Sequence, residues 1–374
     1  MTDDTGIPIV VVGAGVVGWM VAWQLGLLGA RVRIVDRLSD RATGASNSEP
    51  AAQSGPEMRL VRHDQRDPIS ARLAMRSEQW WRTLARRSSR SLVSTTGCID
   101  IGQPDSSVVQ EIIDRLQSLE LDHEVLEAGE LMQRYPLLEA PRDTVAIVQR
   151  GTISIHAANA IAALRSEGRA LGIDSSSGTE LVRWRPDSCV LIREDGEDET
   201  CRFDRLVICT GVGLQRDAPS LTDSEVRRYE CVHATVPPGR LAVDTPPVTL
   251  HADAPGRSMR VVPSRSGAAL TICEASRGRT AEESAVELPA GAIELMPGLS
   301  PLAVSGYSCS EVCASTDASF SLQWLDDDSR VLAVGRFGTN GYALSPAVAR
   351  AVAELLVDGR TETELPAGLP VRRG

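Results

Sequence analysis

IPIVVVGAGVVGWMVAWQLGLLGARVRIVD, residues 7–36, is the stretch on which the rest of the chain depends. The apolar, β-branched run at 7–12 has the composition of a strand buried on both faces of a parallel sheet. It leads directly into Gly13, Gly15 and Gly18 at G-x-G-x-x-G spacing. Residues 19–28 then wind as a helix, Gly29 closes it, and 32–35 form a second strand ending in Asp36. Each position has a task. Gly13 permits the tight strand-to-helix turn, Gly15 lets backbone N–H groups approach a pyrophosphate, and Gly18 lets helix and strand pack closely. Asp36 stands where a carboxylate takes the ribose hydroxyls of an adenosine. Three glycines alone occur by chance, but strand, glycines, helix, second strand and acid in one unit predict a dinucleotide site. Val16 and Val17 open its helix and Arg37 follows its acid.

The composition around this unit is that of a soluble globular chain, 42% apolar and 24% charged over 374 residues, enough for two domains. A net charge of −11 disfavours nucleic acid and anionic membrane, which need a basic face. All 39 basic residues are Arg. That excludes mechanisms built on a lysine amine, including pyridoxal Schiff bases and P-loop phosphate binding. The eight cysteines include no C-x-x-C pair and no metal-ligating spacing with His, so no metal is expected and the cysteines read as reduced thiols. Asp3 and Asp4 precede the first apolar run where a signal peptide would carry basic residues. No segment approaches the ~20 apolar residues of a membrane span. A cytoplasmic monomer is the expectation.

Along the chain, residues 37–56 are a polar, small-residue loop that cannot pack a core and leaves the strand holding the ribose; a flavin lying across the sheet edge needs such a wrapping loop. Arg59 and Arg62 alternate with Leu60 and Val61, with His63 beside them, before a helical segment through Leu73, Trp81 and Leu84. Either arginine can belong to a solvated basic turn or point inward at an anion. A strand is expected at 97–102, helices at 108–119 and 126–135, and a strand at 145–148. A helix at 156–171 and a three-strand meander between 179 and 203 follow. RLVICTG at 205–211 and RVLAVG at 330–335 are two further apolar strands running into glycine, the first placing Gly211 beside the nucleotide. Alternating segments between 227 and 274 predict an antiparallel sheet. After the last strand, RFGTNGYAL at 336–344 is a glycine turn, and Ser345 with Pro346 predicts a helix start. The strands of one sheet thus come from separated parts of the chain, and the domains are discontinuous.

These residues resemble the FAD-dependent D-amino-acid-oxidase superfamily, and within it the sarcosine oxidases and related amine oxidases. The resemblance rests on GAGVVG with Asp36, Arg59-x-x-Arg62-His63, Gly151-Thr152-Ile153, RLVICTG, Pro263-Ser264, CASTDASF at 313–320 and AVGRFGTNGYALSP. It implies an α/β fold: a Rossmann-like FAD-binding domain of the glutathione-reductase type with a second, mixed or antiparallel-sheet substrate domain. Residues 1–88, 145–220 and 328–374 fall to the first, and 89–144 and 221–327 to the second. FAD contacts are implied for Gly13, Gly15, Val16, Val17, Gly18, Asp36, Arg37, Ser46, Arg59, Gly211, Cys313, Gly338, Thr339, Asn340, Gly341 and Tyr342. The implied reaction is oxidation of a C–N bond in a small amine or amino-acid-like substrate, with Arg59, Arg62, Thr271 and Asn340 at the reacting centre.

The departures from the family pattern are as informative. The family lysine that promotes reaction with oxygen matches Thr271, and a lysine that binds the substrate carboxylate matches Ala343. Arg62 matches the remaining carboxylate ligand; for the oxygen-promoting lysine lost at Thr271, Arg260, Arg265 or His233 are candidates to substitute. Cys313 matches a cysteine that in some relatives bonds the flavin covalently, although CASTDASF is two residues shorter than the usual segment and Cys309 competes for that register. Oxygen or another acceptor can follow the flavin. A non-catalytic FAD-binding subunit and a flavin monooxygenase are the alternatives.

Overall fold

The computed structural model describes residues 9–38, 58–221, 224–242, 245–251, 258–264, 267, 269–276, 290–299, 302–315 and 320–366. The chain opens with β1 (Ile9–Val12), α1 (Val16–Leu27), β2 (Val32–Asp36), β3 (Met58–Val61), α2 (Pro68–Arg87), β4 (Val93–Thr95) and β5 (Cys98–Gly102). It continues through α3 (Ser107–Ser118), β6 (Glu124–Glu127), α4 (Ala128–Arg134), β7 (Val145–Gln149), β8 (Ile153–His156), α5 (Ala157–Ala170) and β9 (Asp174–Ser177). Next come β10 (Thr179–Arg185), β11 (Ser188–Arg193), β12 (Asp198–Arg202), β13 (Arg205–Ile208), α6 (Leu214–Asp217), β14 (Ser224–Thr235) and β15 (Val248–His251). The last are β16 (Ser258–Pro263), β17 (Ala269–Ser276), α7 (Ala290–Leu295), β18 (Ala303–Ser315), β19 (Ser321–Trp324), β20 (Val331–Gly335) and α8 (Gly341–Asp358).

The three glycine-ending strands lie side by side in a six-stranded sheet of order β19-β20-β13-β1-β2-β9, parallel except for β19. Their near-continuous apolar sequences follow from burial on both faces. Val11, Ile34, Val207 and Leu332 pack with Trp19, Met20 and Trp23 of α1 in one core. Val10, Val12, Val35, Leu206 and Ile208 pack with Leu181, Leu191 and Phe203 in another, beneath the β10-β11-β12 meander.

A second sheet of eight strands has the order β18-β14-β17-β16-β15-β5-β7-β6 and is antiparallel except where β15 meets β5. Ile99, Ile101, Val148, Val248, Val261 and Ile272 fill one face, against Leu131 of α4 and Ala292 and Leu295 of α7. The opposite face is polar. The register aligns Asp100, Thr249, Arg260, Cys273 and Cys231 in one row across five strands. β7, grouped by sequence with the dinucleotide unit, pairs here with β5 and β6, whereas β19, grouped with the other unit, pairs with β20.

Three expectations change. The last helix starts at Gly341, five residues before the predicted start, and Pro346 lies inside it. Proline has no N–H for the carbonyl four residues back, and α2 supplies the missing partner: Trp81 Nε1 donates to the Tyr342 carbonyl at 2.8 Å. Ser77 Oγ also donates to the Leu344 carbonyl and accepts from the Ala347 N–H. Second, Cys231 and Cys273 form a disulfide where reduced thiols were expected, because β14 and β17 set them opposite each other across 42 residues of sequence. Third, β3, β4, β6, β8, β9 and β19 were missed as strands; β9 reads DSSS, with no apolar alternation, and is held by pairing with β2. No helix among the described residues is long and apolar enough to cross a membrane.

Candidate active site

The ends of β1, β13 and β20 bring the three glycine turns to one edge. Cys209 N–H donates to the Val12 carbonyl at 2.7 Å and Gly13 N–H to the Val35 carbonyl at 2.8 Å, locking the turns together. Gly13 has φ +100°, and a Cβ there would strike the Cys209 carbonyl oxygen. A Cβ on Gly18 would strike the carbonyl oxygen of Gly13. α1 begins directly after this turn, with no side-chain cap at Gly15. The Asp36 carboxylate accepts N–H bonds from Ala14 and Leu38, which orients it at the end of β2 next to exposed Arg37. Thr210 Oγ1 is buried with no hydrogen-bond partner among the described residues, and Gly211 follows at φ +60°. A cradle that tolerates no Cβ, closed by an oriented carboxylate, fits a dinucleotide.

Gly338, Thr339 and Asn340 form a 3₁₀ turn leading into Gly341 and α8. The Tyr342 ring turns to α2 and stacks on Trp81, with centroids 5.6 Å apart. Cys313 is buried, and the next residue, Ala314, bridges to Phe337 at the start of the turn. Cys309 pairs with Glu230, four residues farther along β18, roughly 13 Å away. Of the two cysteines, Cys313 is therefore the one beside the glycine turn. Ser46 and the rest of the loop at 39–57 lie outside the described residues, as do residues 316–319 of the CASTDASF segment.

Arg59 lies in β3 opposite Ile155. Arg62 leaves β3 and reaches the polar face of the eight-stranded sheet. There Nε and Nη2 donate to Asp64 at 2.9 and 2.6 Å, and Nη1 and Nη2 to Asp100 at 2.9 and 2.8 Å. The guanidinium that the resemblance assigned to a substrate carboxylate is thus gripped by two of the chain's own. His251 Nε2 lies 2.9 Å from Asp100 Oδ1, and Gln149 Nε2 donates to the same carboxylate at 3.3 Å. Burial opposes charge on both Asp100 and Arg62, but their attraction outweighs it. The Asp100 carboxyl lies well below the usual carboxylate range and the Arg62 guanidinium well above its usual value. Burial raises the neighbouring Cys98 thiol to about 11.

Farther along the same face, Thr271 pairs with His233, and Thr271 Oγ1 lies 3.2 Å from His233 Nδ1. Arg260 stands between Thr249 and Cys273, with Nε donating to Thr249 Oγ1 at 3.2 Å. Arg62, Arg260, Thr271 and His233 are therefore brought onto one face, while Asn340 belongs to the turn ahead of α8. Asp64, Asp100, Gln149 and His251 were missed from sequence. Asp100 carried a readable signal, because a lone acid between two isoleucines in the strand CIDIG, once buried, needs a cation.

A family model described as FAD dependent oxidoreductase matches residues 8–355. Monomeric sarcosine oxidase from Bacillus sp. strain B-0618 is 22% identical over 97% of this chain and 95% of its own length. The monomeric sarcosine oxidase of Streptomyces avermitilis is 26% identical over 54% of this chain, a match spanning 51% of that protein. Among solved structures, the open form of a variant of NikD, an unusual amino acid oxidase essential for nikkomycin biosynthesis, superposes with a TM-score of 0.77. Its identity is 19%, over 96% of this chain and 95% of that one.

Proposed function

The chain belongs to the family of FAD dependent oxidoreductases, and on that premise we propose that it oxidises the C–N bond of a secondary, cyclic or amino-acid-type amine. The observation that carries this reading is the polar face of the eight-stranded sheet. Thr271, His233 and Arg260 share it with Arg62, which arrives from the strand preceding α2.

In this reading the N–H groups at the glycine turn and the start of α1 hold the pyrophosphate, and Asp36 holds the ribose. The start of α8, the positive end of its dipole, would help hold the flavin ring and stabilise negative charge on it. Bound there, FAD would supply the two-electron acceptor for a hydride equivalent from the carbon beside the amine nitrogen. Thr271 Oγ1 fixes the plane of His233, and the imidazole takes the proton from the substrate ammonium so that the neutral amine reacts.

With Thr271 and Ala343 where the family carries lysines, slow use of oxygen and a different acceptor are expected. Cys313 is the position for a covalent thioether. Purified protein with flavin absorption bands, bleached anaerobically by N-methyl or cyclic amino acids, is the expected result. If no amine bleaches the flavin, the oxidation reading is lost and a non-catalytic FAD-binding role takes its place. The rate of recovery in air against that with a dye identifies the class of acceptor. Acid precipitation tests the thioether, since colour remaining with the pellet is the outcome expected for it.

A further inference from the structure

On the polar face, two guanidinium groups lie near two carboxylates, but the pairing is one-sided. Arg62 takes both Asp64 and Asp100. Arg260 is half-buried in the same row and forms no ion pair within 4 Å among the described residues. Its one hydrogen bond there is from Nε to Thr249, which holds the side chain by its inner nitrogen. Nη1 and Nη2, the two nitrogens that form the bidentate edge for an anion, are left to other partners. Desolvation, and then repulsion from Arg62, pull this guanidinium below its usual value, so a further anion stabilises its charge. Its position is also suitable. Val262, two residues along β16, pairs with Thr271, and Thr271 pairs with His233. Arg260 therefore stands about two residues, some 7 Å, from the Thr271–His233 pair along the strand.

We infer that Arg260, and not Arg62, binds the anionic group of the substrate, a carboxylate set beside the carbon to be oxidised. This inference rests on the amine-oxidation reading for the identity of the substrate, though not for the existence of the anion site. Asp64 and Asp100 act as positioning residues that keep Arg62 out of the contest.

The test is calorimetric binding of propionate and of propionamide, its uncharged counterpart of similar shape, to the FAD-loaded protein. Wild type is expected to prefer propionate by at least about tenfold. Arg260→Gln should abolish that preference and Arg260→Lys should restore part of it. Circular dichroism and the melting temperature verify that each variant is folded. A wild-type protein indifferent to the charge, or an Arg260→Gln variant that keeps the preference, overturns the inference. Amine bleaching is scored separately. If amines bleach the flavin while the charge preference fails, only the anion site is lost. If the preference stands while no amine bleaches, only the oxidation reading is lost.

Discussion

The indole N–H of Trp81 donates to the carbonyl of Tyr342 at 2.8 Å, occupying the acceptor that Pro346 cannot serve from within its own helix. The two rings also stack. Trp81→Phe keeps the stacking and strands a buried carbonyl, a loss of about 1–3 kcal/mol. In a Pro346→Ala background a backbone N–H returns to Tyr342, and the same substitution should cost less. Urea denaturation of the four proteins in this double-mutant cycle measures the difference; equal losses in both backgrounds would refute the substitution of one donor for the other.

Asp100 gives a pH dependence whose sign follows from its depressed folded value. Unfolded, it titrates as an ordinary carboxyl. Its contribution is therefore present above that ordinary value, near 3.9, and is lost as pH falls through the lower folded value. Stability should level off above about pH 5 and decline below it. Asp100→Asn should flatten that acid limb and, because Arg62 loses half its pairing, lower stability at neutral pH by about 3 kcal/mol. Denaturation midpoints across the acid range report both effects.

The Cys231–Cys273 disulfide joins residues 42 apart. Closing a loop of that size restricts the unfolded chain by about 4 kcal/mol on a chain-entropy basis. Reducing agent should lower the melting temperature of wild type and leave that of a Cys231→Ser, Cys273→Ser double variant unchanged. Equal melting temperatures for wild type with and without reductant would count against the bond.

Gly13→Ala combines a left-handed backbone angle with a collision at the Cys209 carbonyl. The expected outcome is a fall in flavin retained per protein, together with a stability loss of about 1–3 kcal/mol from the strained angle. The ratio of visible to ultraviolet absorbance after gel filtration measures the first.

The adjacent strands β1, β13 and β20 of the six-stranded sheet were legible because strands buried on both faces are apolar runs, and here each runs into glycine. The antiparallel strands were legible from alternation. Strand β9 was not, since its side chains carry no pattern and its pairing depends on β2. The start of α8 was misplaced for a definite reason: Pro346 is a good first helical residue, and only the distant Trp81 makes it acceptable inside a helix. Alternation with Leu60 and Val61 left open which of Arg59 and Arg62 points inward, and the carboxylates that Arg62 meets were invisible. Asp64 is two residues away and Asp100 thirty-eight, and no local rule connects them. The same blindness hid the disulfide.

The Arg62 clamp has a consequence for how the molecule unfolds. Its guanidinium leaves β3 and its Asp100 partner sits in the middle of the eight-stranded sheet, so the charge pair spans two structural layers. Neither layer can melt first without abandoning a buried charge in the other. A single cooperative transition, seen alike by tryptophan fluorescence and by far-ultraviolet circular dichroism, is the behaviour this arrangement demands.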